Sequence, residues 1–370
     1  MEFTGHGRVA AARVIRRAMS APASKSPATL HDVAREAGVS LATASRSLNG
    51  SARKVNEAYR ERVVEAAQRL GYTTNLFAQA VAKGSTTTVA LLVADIADPY
   101  FSSIAAGVID AASEEGLVVT IAVTGRNAQR ELETVKALRG QRPRVMILAG
   151  SRTTGSTVEE QLRGELSAFE DTGGKAAFIS QDAPPFASVL LDNRGGARDL
   201  AVALAGLGYR DVAVIAGPPE IRTAEERLDG FAAGLAEHGI PLPPERVIHT
   251  DFTRDGGYRG TQDLLASKAP VDLIFAVNDV MAVGVVSALR DAGIVPGVGI
   301  GVAGYDDIPT VRDITPALTT VRIPLEDVGR RALQLATGPA PGSTDPMADG
   351  SRRPIPMETV IRESTPRRQV

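Results

Sequence analysis

Cysteine is absent from the 370 residues, which removes disulfides, zinc–thiolate sites and cysteine nucleophiles from consideration. Histidine is nearly as scarce. His6, His31, His238 and His249 show no metal-ligand spacing, so neither a metal nor another cofactor is expected. No apolar run approaches the roughly 18–20 residues that a membrane span needs. The arginine-bearing N-terminus lacks an apolar signal core, so the expected location is cytoplasmic, with no membrane partner. Catalytic signatures are missing as well: G-x-S-x-G, H-E-x-x-H and the P-loop do not occur. An enzyme is not expected.

What is present is ample apolar material. At 44% hydrophobic, a chain of this length can bury a large core and divide into more than one domain. The net charge of −2 conceals a polarity along the chain. Residues 1–90 hold 13 Lys and Arg against 6 Asp and Glu, and the remainder holds 28 against 37. A basic segment on an acidic body suits contact between the first part and a polyanion.

Residues 1–27 are rich in Ala, Ser, Arg and Pro without an apolar stripe, and read as a disordered basic arm. Met1 and Met19 both stay open as the start. Order begins at Thr29, which has capping-box spacing to Asp32. Leu30, Val33, Ala34 and Ala37 then form a helical stripe. Gly38 suits a left-handed turn, and Ser40 a helix N-cap. A second helix is predicted from Leu41 to about Leu48. A third is predicted after Asn56, with Val63, Val64, Ala67 and Leu70 as its apolar stripe. Three short helices with a glycine turn between the first two make a helix-turn-helix arrangement.

From Val89 the rhythm becomes strand, helix, strand. Apolar runs at Val89–Val93, Val118–Val123, Val145–Leu148, Ala176–Ile179, Val212–Ala216, Leu273–Val277 and Ile300–Ala303 predict buried parallel strands in two similar α/β lobes. Gly299-Ile-Gly301-Val-Ala-Gly304 matches the dinucleotide fingerprint by letter. Its glycines straddle a strand, however, and Pro309 follows where a helix is needed, which argues against nucleotide binding.

Thr29 to Asn49, TLHDVAREAGVSLATASRSLN, closely resembles the headpiece of the lac/gal repressor family. The resemblance continues through Val55, Leu70–Tyr72 and Asn75–Val81. It resumes with DPYF at Asp98–Phe101, Asp192-Asn193, RLDGF at Arg227–Phe231, Asn278-Asp279, GYDD at Gly304–Asp307, Leu318–Val321 and Ile361–Ser364. It implies an all-α helix-turn-helix headpiece and a two-lobed, periplasmic-binding-protein-like parallel α/β effector domain. The implied boundaries are 28–74 for the headpiece, 75–86 for a hinge helix and linker, and 87–365 for the effector domain. Lobe one takes about 87–187 and 322–340, and lobe two about 188–321 and 341–365.

The resemblance also implies roles. The second helix enters the major groove of an operator, with Leu41, Ala42 and Arg46 at base edges. Arg46 suits guanine N7 and O6, and Leu41 and Ala42 suit a thymine methyl, although Leu41 also shares a stripe with Ala44 and Leu48 that permits partial burial. Ser40, Thr43, Ser45 and Asn49 suit phosphate oxygens, with further DNA contacts from Thr29, Val55, Ala78 and Val81. Val81 stands where the family carries a leucine wedge into the minor groove. A small effector, a sugar or related metabolite, is implied between the lobes, against Tyr100, Phe101, Asp192, Arg227, Asn278 and Asp306. For Asp192, capping of the following helix is an equally open reading. The partners expected are thus double-stranded operator DNA, a small effector and a second copy of the chain. The competing reading is a transport-type solute-binding protein of the same two-lobed fold, which has no use for residues 29–83. An oxidoreductase lacks a cofactor loop.

Overall fold

The computed structural model describes residues 28–49, 55–73, 86–150, 157–338 and 353–368. The chain divides into an N-terminal helical unit and a larger α/β unit. In the first, α1 (Leu30–Ala37), α2 (Leu41–Asn49) and α3 (Glu57–Leu70) follow the predicted order. The capping box closes at the start of α1. The Asp32 N–H donates to the Thr29 hydroxyl at 3.3 Å, and the Thr29 N–H donates to the Asp32 carboxylate at 3.0 Å. Gly38 ends α1 at φ +61°, so α2 starts at once. Arg62 of α3 donates to the Ala37 carbonyl, one of the four that a helix end leaves without partners.

The core of this unit is small: Val33, Ala34, Ala37, Ala44, Val63, Ala66 and Ala67. The predicted stripe of α3 needs correction. Val64 and Leu70 are each 37% exposed, and Ala66 is buried instead. Val63, Ala66 and Ala67 fall at i, i+3 and i+4, which is one helix face, and Val64 is rotated about 100° off it.

The larger unit holds two parallel sheets. The first has the order β2-β1-β3-β4-β5, from β1 (Thr88–Val93), β2 (Val118–Val123), β3 (Val145–Ala149), β4 (Lys175–Ser180) and β5 (Ala187–Leu190). The second has the order β7-β6-β8-β9, from β6 (Val212–Ala216), β7 (Val247–His249), β8 (Leu273–Ala276) and β9 (Gly301–Ala303). Both sheets reverse direction beside their first strand, between β1 and β3 and between β6 and β8. Helices follow the strands, and apolar residues fill β1, β3, β6 and β8, which are buried on both faces, whereas β2, predicted as buried, is exposed to half-buried at the sheet edge.

Because β5 pairs with β4, the first lobe extends to Leu190, past the boundary at 187. The chain then crosses to the second sheet. It returns through β10 (Thr320–Arg322) to the Leu325–Thr337 helix, which packs on the Pro99–Glu114 helix of the first lobe. Finally β11 (Glu358–Val360) runs antiparallel to β10, and Ser364 donates to the Val302 carbonyl in β9 at 2.7 Å. β5, β7, β10 and β11, of three or four residues each, lie outside the predicted apolar runs.

Asp279, at the start of the Asp279–Asp291 helix, ties this return path to the second lobe. It accepts from the Thr320 hydroxyl at 2.7 Å and from the Ile308 N–H at 2.9 Å. Gly304 lies so close that a Cβ there would meet Asp279 Oδ1 at 2.3 Å. The fingerprint-like glycine is therefore a packing glycine. Burial pushes the Asp279 carboxyl up to about 7, against those two hydrogen bonds, which lower it.

Two outcomes follow. Between the ordinary 3.8 and about 7, native Asp279 keeps a proton that the unfolded chain has released, so stability falls as pH rises through that window. Asp279→Asn is expected to make the decline shallower, read from urea midpoints at several pH values, and parallel curves for variant and parent would reject this. At Gly38, a Cβ in the left-handed region costs about 1–2 kcal/mol. Gly38→Ala should therefore speed hydrogen exchange across α1 and α3 and leave the α/β unit unchanged.

Candidate functional site

In the helical unit, α2 sorts its residues by face. Ala44 and Ser47 are buried and Leu48 is half-buried, whereas Leu41, Ala42 and Arg46 are exposed. Leu41, at 39% exposure, stands clear of the core. Ser40 caps α2: its hydroxyl accepts from the Thr43 N–H at 3.1 Å and lies 2.8 Å from the Thr43 hydroxyl. Ser45 is half-buried, and Asn49 is the last residue of the helix. Thr29 is exposed at the start of α1, and Val55 is half-buried just ahead of the α3 cap, Asn56. Ala78 and Val81 lie outside the described residues.

In the α/β unit the site follows from topology. Crevices open at the carboxyl ends of parallel strands where the strand order reverses, and here the two crevices face one cavity of about 90 Å³. From the first lobe come Asp98, Tyr100 and Phe101 after β1, Thr124, Arg126, Asn127 and Glu131 after β2, Gly150 after β3, Glu159 and Ser180. From the second come Ile221, Thr223 and Arg227 after β6, Phe252 after β7, Asn278 after β8 and Asp306 after β9.

Arg227 is the best-held group in this wall. It is 1% exposed, and a buried guanidinium is tolerable only with its donors engaged and its charge matched. Nε donates to Asn193 Oδ1 at 3.0 Å, one terminal nitrogen to the Val277 carbonyl at 2.8 Å, and the other to Asp306 Oδ1 at 2.8 Å. The Tyr305 ring covers its face at 3.9 Å. Asn278 spends its amide oxygen on the Met281 N–H at 2.8 Å and so caps the next helix.

Opposite, Tyr100 and Phe101 meet edge to face with centroids 4.9 Å apart. Asp98 accepts from the Tyr100 N–H at 3.0 Å and pairs with Arg126 at 3.3 Å. Burial raises the Asp98 carboxyl above its ordinary value, and these two partners pull it back. Arg126 also lies 5.8 Å from the Phe101 ring and 5.7 Å from the Phe252 ring, and so touches both lobes. A second link between the lobes sits deeper. Gln181 donates to Ser180 Oγ at 3.0 Å and to Thr223 Oγ1 at 2.9 Å, all three residues being buried.

Tyr100, Phe101, Arg227, Asn278 and Asp306 all line this one cavity. Asp192 does not. Its carboxylate accepts from the Gly195 N–H at 2.9 Å and caps the Asn193–Gly206 helix, away from the cavity wall. Motif reading also missed Asp98, Thr124, Arg126, Asn127, Glu131, Glu159, Ser180, Thr223 and Phe252. The available signal was their place just past strand ends. Among the described residues, no group of three or more His, Asp or Glu is placed to hold a metal ion, and no helix is long and apolar enough to cross a membrane.

Next to Asp306, Asp307 serves another set of partners. Burial works to raise its carboxyl, yet hydrogen bonds from Arg322 and Arg362 hold it below the ordinary range. Arg322 of β10 donates at 2.7 Å, Arg362 beyond β11 at 2.6 Å, and Arg312 at 3.2 Å. Both aspartates have positive φ, 121° for Asp306 and 55° for Asp307.

Comparison with known proteins agrees with this architecture. Residues 29–75 match the family model of bacterial regulatory proteins, lacI family, and residues 201–365 match a periplasmic binding protein-like domain. The transcriptional regulator GalS of Salmonella typhimurium is 33% identical over 319 residues, 86% of this chain and 91% of that protein. The transcriptional repressor CytR of Escherichia coli is 32% identical over 350 residues, 94% and 99% of the two chains. The lac repressor dimer bound to operator and the anti-inducer ONPF superposes with a TM-score of 0.75 at 26% identity, covering 92% of this chain and 100% of that one. The CelR–cellobiose complex gives 0.63 at 29% identity, over 91% and 99%. These relatives are transcription regulators. With a helix-turn-helix unit, a two-lobed α/β unit and relatives that align along nearly its whole length, the chain belongs to the LacI family of DNA-binding regulatory proteins.

Proposed function

We propose that this chain is an effector-controlled transcription repressor that binds a near-palindromic operator as a homodimer and catalyses no reaction. The observation that carries the reading is the outward face of α2, where Leu41, Ala42 and Arg46 project together from a helix whose other side is core. Such a face fits the major groove, with Arg46 on a guanine edge and the two apolar residues on thymine methyls. Ser40, Thr43, Ser45 and Asn49 serve the phosphates. Thr29, Val55, Ala78 and Val81 complete the DNA contacts. The protein works in the cytoplasm, on the nucleoid when operator-bound.

The effector, a sugar or related metabolite, occupies the cavity against Tyr100, Phe101, Arg227, Asn278 and Asp306. It acts by favouring one arrangement of the lobes, and a coupling of about 1–3 kcal/mol suffices to change operator occupancy. The proposed division is an arm over 1–27, a headpiece over 28–74, a hinge over 75–86, then the effector domain, whose first lobe runs to Leu190. Dimerisation is supported by the first lobe. Among the described residues strand β2 is the outer edge of the first sheet, Val118 on it is 59% exposed, and Ile109 on the neighbouring helix is 41% exposed. Apolar side chains on a free edge are a surface that soluble proteins cover.

Selection of binding sites from a random DNA library by the full chain should yield an inverted repeat with a fixed guanine in each half. Arg46→Ala should lose preference at that guanine, a penalty of about 1–3 kcal/mol per half-site, without a change in thermal midpoint. If the variant enriches the same guanine, α2 is not the reading helix. Light scattering at micromolar concentration should give the mass of a dimer, and a monomer or a tetramer would contradict the assembly proposed.

A further inference from the structure

Among the described residues, the chain joins the two lobes along one side of the cleft. It leaves the first lobe at the end of β5, returns through β10 beside β9, and pairs β11 with β10. Leu191, just past β5, bridges Ile355, and Ala303 of β9 bridges Thr319. The lobes therefore pivot at the β5 and β9 edges. Strands β2 and β7 form the opposite edges, β2 farthest from β5 and β7 farthest from β9 in the strand order. At about 4.8 Å between neighbouring strands, the far side of the cleft stands about 14–19 Å from the pivot.

Arg126 and Phe252 meet on that far side. Arg126 follows β2, Phe252 follows β7, and both line the cavity. The guanidinium carbon lies 5.7 Å from the centre of the Phe252 ring, within cation–π range, and 5.8 Å from that of Phe101 in its own lobe. Each partner is held in place. Arg126 donates to the buried carboxylate of Asp98 at 3.3 Å. Its backbone is left-handed at φ +57°, a conformation that a residue with a Cβ keeps only where its surroundings impose it. Phe252 packs on Gly217, just past β6, where a Cβ would collide with the ring. The Gln181–Thr223 bond also joins the lobes, but its residues follow β4 and β6, nearer the pivot. A swing of the lobes parts groups in proportion to their distance from the pivot. The Arg126–Phe252 contact thus opens widest and resists opening with the longest arm.

We propose that Arg126 is the latch of the cleft: anchored to Asp98 in one lobe and closed on Phe252 in the other, it holds the mouth shut. Its role is one of positioning, and it governs passage into the cavity. The proposal rests on the effector reading for what passes the mouth, but the latch itself needs no ligand to close.

The chain has no cysteine, so two engineered ones suffice for the test. Spin labels on Lys136→Cys and Gln262→Cys, exposed positions on the helices that follow β2 and β7, report the width of the mouth by double electron–electron resonance. The full chain is measured without added ligand, in an excess of unlabelled chain so that each assembly carries one pair of labels. A swing of about 15° moves the mouth by about 4–5 Å. Arg126→Gln is expected to lengthen the distance by about that amount, and Gly217→Ala to do the same by displacing the ring with both partners still in the chain. Arg126→Gln combined with Phe252→Ala should open the mouth no further than either change alone. A parent-like distance in Arg126→Gln or in Gly217→Ala overturns the latch, as does a double variant whose shift is the sum of the two single ones. Those results leave the effector reading standing. That reading falls instead if no member of a panel of monosaccharides and nucleosides shifts the melting midpoint of the parent chain, a result that leaves the latch in place.

Discussion

A guanidinium held almost wholly out of water is the constraint around which the second lobe is arranged. Arg227 cannot discharge itself, so everything near it has to match its charge and its donors. The match draws on three separate stretches of chain: Asn193 at a helix start, the Val277 carbonyl past β8, and Tyr305 with Asp306 past β9. None of these can move far without stranding a buried charge. The crevice of that lobe is thereby shaped before any ligand arrives, which is what a site of defined selectivity needs. The first lobe meets it with a softer wall of Tyr100, Phe101 and the Arg126–Asp98 pair.

Much of this was legible from residue order, for physical reasons. Thr29, Asp32 and Gly38 announce α1 because caps and left-handed turns are local, decided within four residues. Buried parallel strands announce themselves because both faces are apolar. Arg227 and Asp306 were visible only through family resemblance, since nothing local says that residues 79 apart in sequence will pair. Asp192 shows the limit of that resemblance: its carboxylate is consumed by a cap one turn on. The residues that motif reading missed sit at the last residue of a strand (Ser180, φ 106°), in the loops that follow strands (Thr124, Arg126, Phe252) or at the starts of the next helices (Asp98, Asn127, Glu131, Glu159, Thr223), where local periodicity does not say which side chain will face a cavity. Val64 was misjudged because a run of two valines fits two helical stripes, and only the third dimension chooses between them.

The helical unit is economical. Its core is alanine and valine, small enough for three short helices to approach closely and to free one whole face of α2. Larger core residues would hold the helices farther apart and shift that face relative to its own caps. Close packing here acts less as a reserve of stability than as a means of setting the angle of one exposed helix.

Asp306 and Asp307 are neighbours in sequence with opposite clients. One carboxylate is matched to the cavity wall, and the other to arginines in and just past the strands that carry the chain between lobes. Consecutive Cα atoms stand a fixed 3.8 Å apart across a planar peptide. A displacement of either side chain's anchor is therefore handed to the other with no flexible segment between them to absorb it. A deletion or insertion at this point would do more than remove a contact: it would exchange the two clients and cut the mechanical path from the pocket to the inter-lobe ribbon while leaving both sheets intact.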